Sequence, residues 1–136
     1  MNLNKTMKIS AAALQAQENR MRVIAENLAN VDSMATTPGG EPYRRKTVSF
    51  RNVLDRQLGV NLLEIGRVDR DKSPLRSRFE PQNPAADADG YVKLPNVNAL
   101  IEAMDMRQAQ RSYEANLTVI EAAKSMLGKA IDLLRS

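Results

Sequence analysis

The stretch ENLANVDSMATTPGGEPYRRK, residues 26–46, decides how this 136-residue chain is organised. It begins as the end of an amphipathic helix. Within a few residues Asn30, Asp32 and Ser33 offer side chains that compete with helical backbone hydrogen bonds, and Pro38-Gly39-Gly40 then makes continuation of a helix impossible. The chain resumes as YRRKTVSF, residues 43–50, where Tyr43, Arg45, Thr47 and Ser49 alternate with Arg44, Lys46, Val48 and Phe50 as in a strand.

Upstream of that stretch, Met7, Leu14, Met21 and Leu28 recur every seventh residue, with Leu3, Ser10, Gln17, Ile24 and Val31 interleaved. That is an a/d heptad stripe, and no Pro or Gly interrupts residues 1–37. The pattern predicts a helix over roughly residues 4–31, about 42 Å long. Downstream, Pro95 bars the preceding residue from helical geometry, Asn96 or Asn98 can cap a second helix, and Glu102 and Asp105 suit its positive end. Its apolar positions begin as Val97, Leu100, Ile101 and Met104. They broaden to Val119/Ile120, Ala123, Met126/Leu127, Ala130/Ile131 and Leu133/Leu134, a stripe too wide for one partner helix.

All six prolines and five of the six glycines fall between Pro38 and Pro95, so helix breakers are confined to the middle. There, VNLLEIGRVDRD (60–71) reads as a second strand and PLRSRFEP (74–81) as a short third, followed by extended, Pro-punctuated chain to the second helix. The fold class is therefore mainly α: two long terminal helices, residues 1–33 and 97–136, paired as an antiparallel coiled coil, with a small β or extended middle segment over 34–96. Such a β element is too small to hold the protein together alone. A lone helix pair leaves the wide C-terminal stripe partly in water, so helices of other chains are expected to cover it. The polar residues in the stripes, Ser10, Gln17, Gln108 and Asn116, either fix the register of the seam or lie at its edge.

The composition excludes much chemistry. Without cysteine there are no disulfides or thiolate metal sites, and without histidine most acid–base, triad and zinc arrangements lose their commonest member. TTPGGEP is no phosphate-cradling loop, and DADG (87–90) starts like a calcium loop but lacks the closing Glu, so it reads as a turn. No catalytic, cofactor-binding or metal residues are assigned. The apolar stretch after Lys5 and Lys8 is too short for a secretory signal, and no run approaches the ~20 apolar residues of a membrane span. The whole net charge of +4 sits in residues 41–80, with ten Lys/Arg against six Asp/Glu. Two function classes survive: a nucleic-acid binder using the basic middle, and a self-assembling structural subunit. The terminal helices are nearly neutral and the basic residues are diluted by acids, which favours assembly over nucleic acid. Arg44, Arg45 and Lys46 are expected to make intersubunit or surface polar contacts, or to form a charged strand edge.

SAAALQAQENRMRVIAENLANVDS (10–33), GGEPYRRKTVSF (39–50), DKSPLRSRFEPQNPAADADGYVKLPNVN (71–98) and RSYEANLTVIEAAKSMLGKAIDLL (111–134) together resemble the axial proteins of the bacterial flagellum, the rod and hook family, and most of all its proximal rod members. NLAN and RSYEAN are shared across rod and hook proteins, while EPQNPAADADGYVKLPNVN looks specific to the proximal rod. The chain departs from the rod pattern at Glu102-Ala103, and its similarity is loose over 53–66. The resemblance implies a rod subunit of the basal body in the periplasm, with its terminal helices in an inner layer and its middle outside. It also implies export through the flagellar type III apparatus without a cleaved signal. The implied partners are other rod proteins and copies of itself, with ring and export-gate proteins as further candidates. The expected assembly interface comprises Met7, Leu14, Met21, Ile24, Leu28, Val119, Ile120, Met126, Leu127, Ile131 and Leu134 from the stripes, joined by Asn30, Tyr113 and Asn116 from the shared elements.

Overall fold

The computed structural model describes residues 2–136. In chain order it contains α1 (Leu3–Ala29), β1 (Lys46–Asp55), β2 (Val60–Arg70), β3 (Arg76–Phe79), β4 (Tyr91–Leu94) and α2 (Ala99–Arg135). The expected terminal helices are both present, but at 27 and 37 residues they fill just under half of the chain. The description "mainly α" is corrected accordingly: two terminal helices flank a β middle of two separate two-stranded sheets, β1-β2 and β3-β4.

The termini of the helices follow from their caps. Asn2 Oδ1 accepts from Lys5 N at 3.2 Å at the start of α1. Of the two asparagines proposed to cap α2, Asn98 does so, its Oδ1 accepting from the N–H groups of Leu100 and Ile101 at 3.0 and 3.3 Å. At the end of α1, Asn30 Nδ2 donates to the Glu26 carbonyl at 2.8 Å, and Asn30 Oδ1 accepts from Ser33 Oγ at 2.9 Å. Asn30 N donates to the same Glu26 carbonyl at 3.1 Å, so the side-chain bonds fasten the last turn to the chain that leaves it. The Pro38-Gly39-Gly40 loop is closed by Tyr43 N donating to the Ser33 carbonyl at 3.0 Å.

β1 continues to Asp55, five residues beyond the expected end at Phe50. Asp55 itself stops the strand: its carboxylate accepts from Gln57 N and Leu58 N, its carbonyl from Gly59 N at 2.8 Å, and Gly59 takes φ +66° to reverse the chain. β4 falls in the stretch expected to be irregular. It pairs antiparallel with β3, from Arg76 opposite Leu94 to Phe79 opposite Tyr91, and buries Val92 and Leu94 on one side. DADG is a turn, with Asp87 Oδ1 accepting from the N–H groups of Asp89 and Tyr91, both at 2.9 Å. Gly90 ends that turn at φ +86°, and a Cβ there would lie 2.7 Å from Phe79 Cε2. The Phe79 ring is in turn packed edge-on against Tyr91, centroids 5.3 Å apart.

Two compact units divide the chain. One gathers residues up to Met21, 49–67 and 107–136; the other gathers 22–48 and 68–106. The second has a conventional apolar core of Val23, Ile24, Val92, Leu94 and Val97, to which Asn27 and Glu102 are added. The first buries only small or polar side chains among the described residues: Ala16, Ala109, Ala123, Ser10 and Gln17. Ser10 and Gln17 thus lie inside the packing and not at its edge. Asn116 is half-buried, and Gln108 is exposed.

Candidate assembly surface

In the second unit, a polar cluster fixes where the helices and the middle segment meet. Asn27 of the NLAN element is 1% exposed. Its amide grips the backbone of Lys46, the first residue of β1, much as a neighbouring strand would: Oδ1 accepts from Lys46 N at 2.9 Å and Nδ2 donates to Lys46 O at 2.9 Å. The same Oδ1 accepts from the Tyr43 hydroxyl at 2.7 Å, and Nδ2 also reaches Glu102 Oε2 at 3.3 Å. Glu102, on the first turn of α2, is 1% exposed and receives a hydrogen bond from Arg45 Nε. A buried carboxylate is tolerable only with such partners.

Arg45 extends the cluster further, with Nη1 3.4 Å from Asp71 Oδ2 and Nη2 3.7 Å from Asp105 Oδ2. Burial works against the Arg45 cation, but the hydrogen bond and charge of Glu102, with Asp71 behind them, outweigh it and raise the guanidinium pKa above its ordinary value. The backbone N–H and side chain of Ser73, aided by Arg45, hold the Asp71 carboxyl below its ordinary value. Burial, reinforced by the negative charges of Glu26 and Glu102, pushes the Tyr43 hydroxyl up. Asn96, the residue not used as a cap, accepts from Arg45 N at 2.8 Å and donates to the carbonyls of Asp71 and Ser73. Arg76 ties the turn after α1 to the segment before α2, donating to Val31 O and Pro95 O, both at 2.9 Å.

The basic run is therefore occupied within the chain. Arg45 is bound into the cluster, Lys46 Nζ pairs with Glu26 at 2.9 Å, and Arg44 pairs with Glu41 and donates to the Asp71 and Ser73 carbonyls. Sequence reasoning singled out the three basic side chains but not the residues that receive them. Asn96 and Glu102 were read only as a cap and a helix-dipole partner, and Asn27, Tyr43 and Asp71 carried a signal only in hindsight: Asn27 lies one turn from Val23 and Ile24, and Glu102 lies within the apolar opening of α2.

The residues proposed for assembly divide by exposure. On α1, Ile24 is buried, while Met7, Leu14, Met21 and Leu28 are half-buried, as is Asn30 just past its end. On α2, Tyr113, Asn116 and Ile120 are half-buried, whereas Val119, Met126, Leu127, Ile131 and Leu134 are exposed, Leu134 to 87%. Leu100, Ile101, Met104, Leu117 and Leu133 add to the exposed apolar side chains of the same helix. Large aliphatic side chains left in water over most of a 37-residue helix form a surface suited to packing with other chains. Among the described residues no group of His, Asp and Glu side chains is arranged to hold a metal ion, and no helix is long and apolar enough to cross a membrane.

A capped pair of terminal helices with an uncovered apolar surface, joined through a polar cluster to a β middle, describes a structural building block. The family profile described as "Flagellar basal body rod FlgEFG protein C-terminal" matches residues 88–133, which contain β4 and most of α2. The chain is 45% identical to the flagellar basal-body rod protein FlgC of Agrobacterium fabrum, covering 98% of this chain and 96% of that one. It is 41% identical to FlgC of Salmonella typhimurium over 98% of each chain, and 39% identical to FlgC of Bacillus subtilis over 94% and 95%. The chain belongs to the FlgC family of flagellar basal-body rod proteins. It is a structural component of the flagellar basal body and not an enzyme.

Proposed function

We propose that this chain is a subunit of the proximal rod, the hollow drive shaft of the flagellum, and that it assembles with copies of itself and other rod proteins through its terminal helices. In this reading α1 and α2 pair antiparallel as a coiled coil in the inner layer, and the β middle lies outside it. Two hydrogen bonds between the helices support the pairing: Asn27 to Glu102, and Arg20 to Gln108 at 3.2 Å, so that position falls along α1 as it rises along α2. The chain leaves the cytoplasm through the flagellar type III apparatus, without a cleaved signal, and reaches the rod in the periplasm. The contact roles of Met7, Leu14, Met21, Ile24, Leu28, Asn30, Tyr113 and Asn116 belong to this proposal. So do those of Val119, Ile120, Met126, Leu127, Ile131 and Leu134.

The observation that carries the reading is the uncovered apolar side of α2 in a chain of this family. Its test is Leu127→Asp, expressed in cells whose own FlgC gene is deleted. The expected result is a chain that is exported but absent from basal bodies, with motility lost, while the unaltered chain restores motility. Normal incorporation of Leu127→Asp would contradict the proposed role of that surface.

A further inference from the structure

We infer that the groove between α1 and β2 receives the distal part of α2 from a second copy of this chain. The inference rests on the rod-subunit reading above and specifies which two surfaces mate. The groove has a volume of about 470 Å³ and lies wholly within the first compact unit. One wall is α1 from Lys8 to Asn19, presenting Ala11, Ala12 and Gln15; the other is Leu62 to Ile65 of β2. Positions 8, 12, 15 and 19 recur at helical spacing on the side of α1 away from its buried Ser10 and Gln17. Of the residues that α1 contributes to the groove, only Ala16, 2% exposed, belongs to the buried set of the unit.

The proposed occupant is exposed in the same unit. Among the buried and half-buried positions of α2, Ala109, Tyr113, Asn116, Ile120 and Ala123 alternate at intervals of four and three residues. The same alternation continues to Leu127, Ala130 and Leu134, yet every residue from Lys124 to Arg135 is exposed. The reason is length. From the Arg20–Gln108 hydrogen bond, α1 has 17 residues left before its end at Leu3, and α2 has 27 before Arg135. The surplus of ten residues, about 15 Å of helix, has no partner in its own chain.

Groove and surplus match in two respects. The α1 wall from Lys8 to Asn19 and the helix from Lys124 to Arg135 each rise about 17 Å. The groove carries Lys8 and Glu64 and the surplus helix carries Lys124, Lys129, Asp132 and Arg135, so each side offers charges of both signs, and Lys8 and Asp132 each have no ion-pair partner among the described residues. Alanines along one wall allow a helix to approach closely, while Leu62, Leu63 and Ile65 offer apolar contact to Leu127, Ile131 and Leu134. Because the two surfaces differ, such a contact is head-to-tail, giving a ring where its rotation closes and an open helical array where it does not.

The absence of cysteine makes the test clean. Chains carrying Gln15→Cys together with Leu127→Cys, Ile131→Cys or Leu134→Cys are expressed in the deletion strain, and purified basal bodies are oxidised and run without reductant. At least one pair should give a ladder of linked chains, and Gln57→Cys with Leu134→Cys should give none. Rods that contain the cysteine chains but show no Gln15-dependent ladder overturn the inference while leaving the rod reading intact. Absence of the unaltered chain from basal bodies would overturn the rod reading itself. Gln15→Trp, filling the groove from an exposed position, decides the matter if the cysteine chains fail to assemble. With monomer circular dichroism unchanged, it should lower incorporation at least tenfold, and normal incorporation overturns the inference.

Discussion

Replacing Arg45 with Met should be among the most damaging single changes outside the apolar core. Glu102 is 1% exposed and would keep only the Asn27 amide at 3.3 Å. Removing one partner of a buried ion pair costs roughly 3–5 kcal/mol because the other charge is left buried and unpaired. The Arg45 side chain is 26% exposed, so water screens part of the pair and the low end, about 3 kcal/mol, is the expected loss. Against a typical stability of ~5–15 kcal/mol, that is a large share, equivalent to roughly a hundredfold in the folding equilibrium. For a chain of this size it corresponds to a fall of roughly 10 °C in Tm. The assay is thermal and urea unfolding of the dilute chain followed by circular dichroism. The double change Arg45→Met with Glu102→Met removes both charges together and should recover most of the loss, because apolar replacement of a whole buried pair is often neutral or stabilising. Losses below about 1 kcal/mol for Arg45→Met, adding independently to that of Glu102→Met, would refute the view that the two side chains act as a unit.

The remaining expectations follow from other parts of the second unit. Gly90→Ala places a Cβ 2.7 Å from Phe79 at φ +86° and should cost on the order of 1–3 kcal/mol, read as a lower urea midpoint. Tyr43→Phe removes the 2.7 Å hydrogen bond to Asn27 and should cost about 0.5–1.5 kcal/mol at neutral pH. The folded-state pKa of Tyr43 is raised above 10.0, so its linked contribution is present below that value and lost as pH rises through the folded pKa; Tyr43→Phe should remove that alkaline step. Asp71 has the opposite sign. Its folded pKa lies below 3.8, so its contribution is present above that value and lost as pH falls through the folded pKa, and Asp71→Asn should flatten the acid limb of the stability curve.

The ends of this protein were far more legible in the sequence than its middle, for physical reasons visible in single residues. A helix of 27 or 37 residues repeats its apolar spacing many times, and its termini are marked by Asn98 and by the Asn30–Ser33 cluster, so pattern and caps agree. A four-residue strand such as β4 repeats nothing. Val92 and Leu94 alone cannot announce it, and its existence depends on Arg76–Phe79 lying alongside, a non-local fact. The polar cluster was hidden for a related reason. Arg44, Arg45 and Lys46 read as a surface charge run because their partners, Glu102 and Glu26 among them, lie far away in the chain. Asn27 passed as an ordinary helix residue because an amide that grips backbone groups of another segment leaves no periodic trace. The apolar stripe of α2 was readable as wider than one helix can cover, but the side chains from Leu127 to Leu134 are uncovered because α2 outruns α1, a difference in length that the stripe alone does not announce.

The central claim, that this chain forms part of the rod wall through its terminal helices, is tested most directly by a density map of basal bodies purified from cells in which it is the sole chain of its family. The account predicts rod-wall density into which α1 and α2 fit side by side, with Leu127, Ile131 and Leu134 against neighbouring helices. Complete rods lacking this chain, or rods in which the Leu127–Leu134 surface faces solvent, would contradict it.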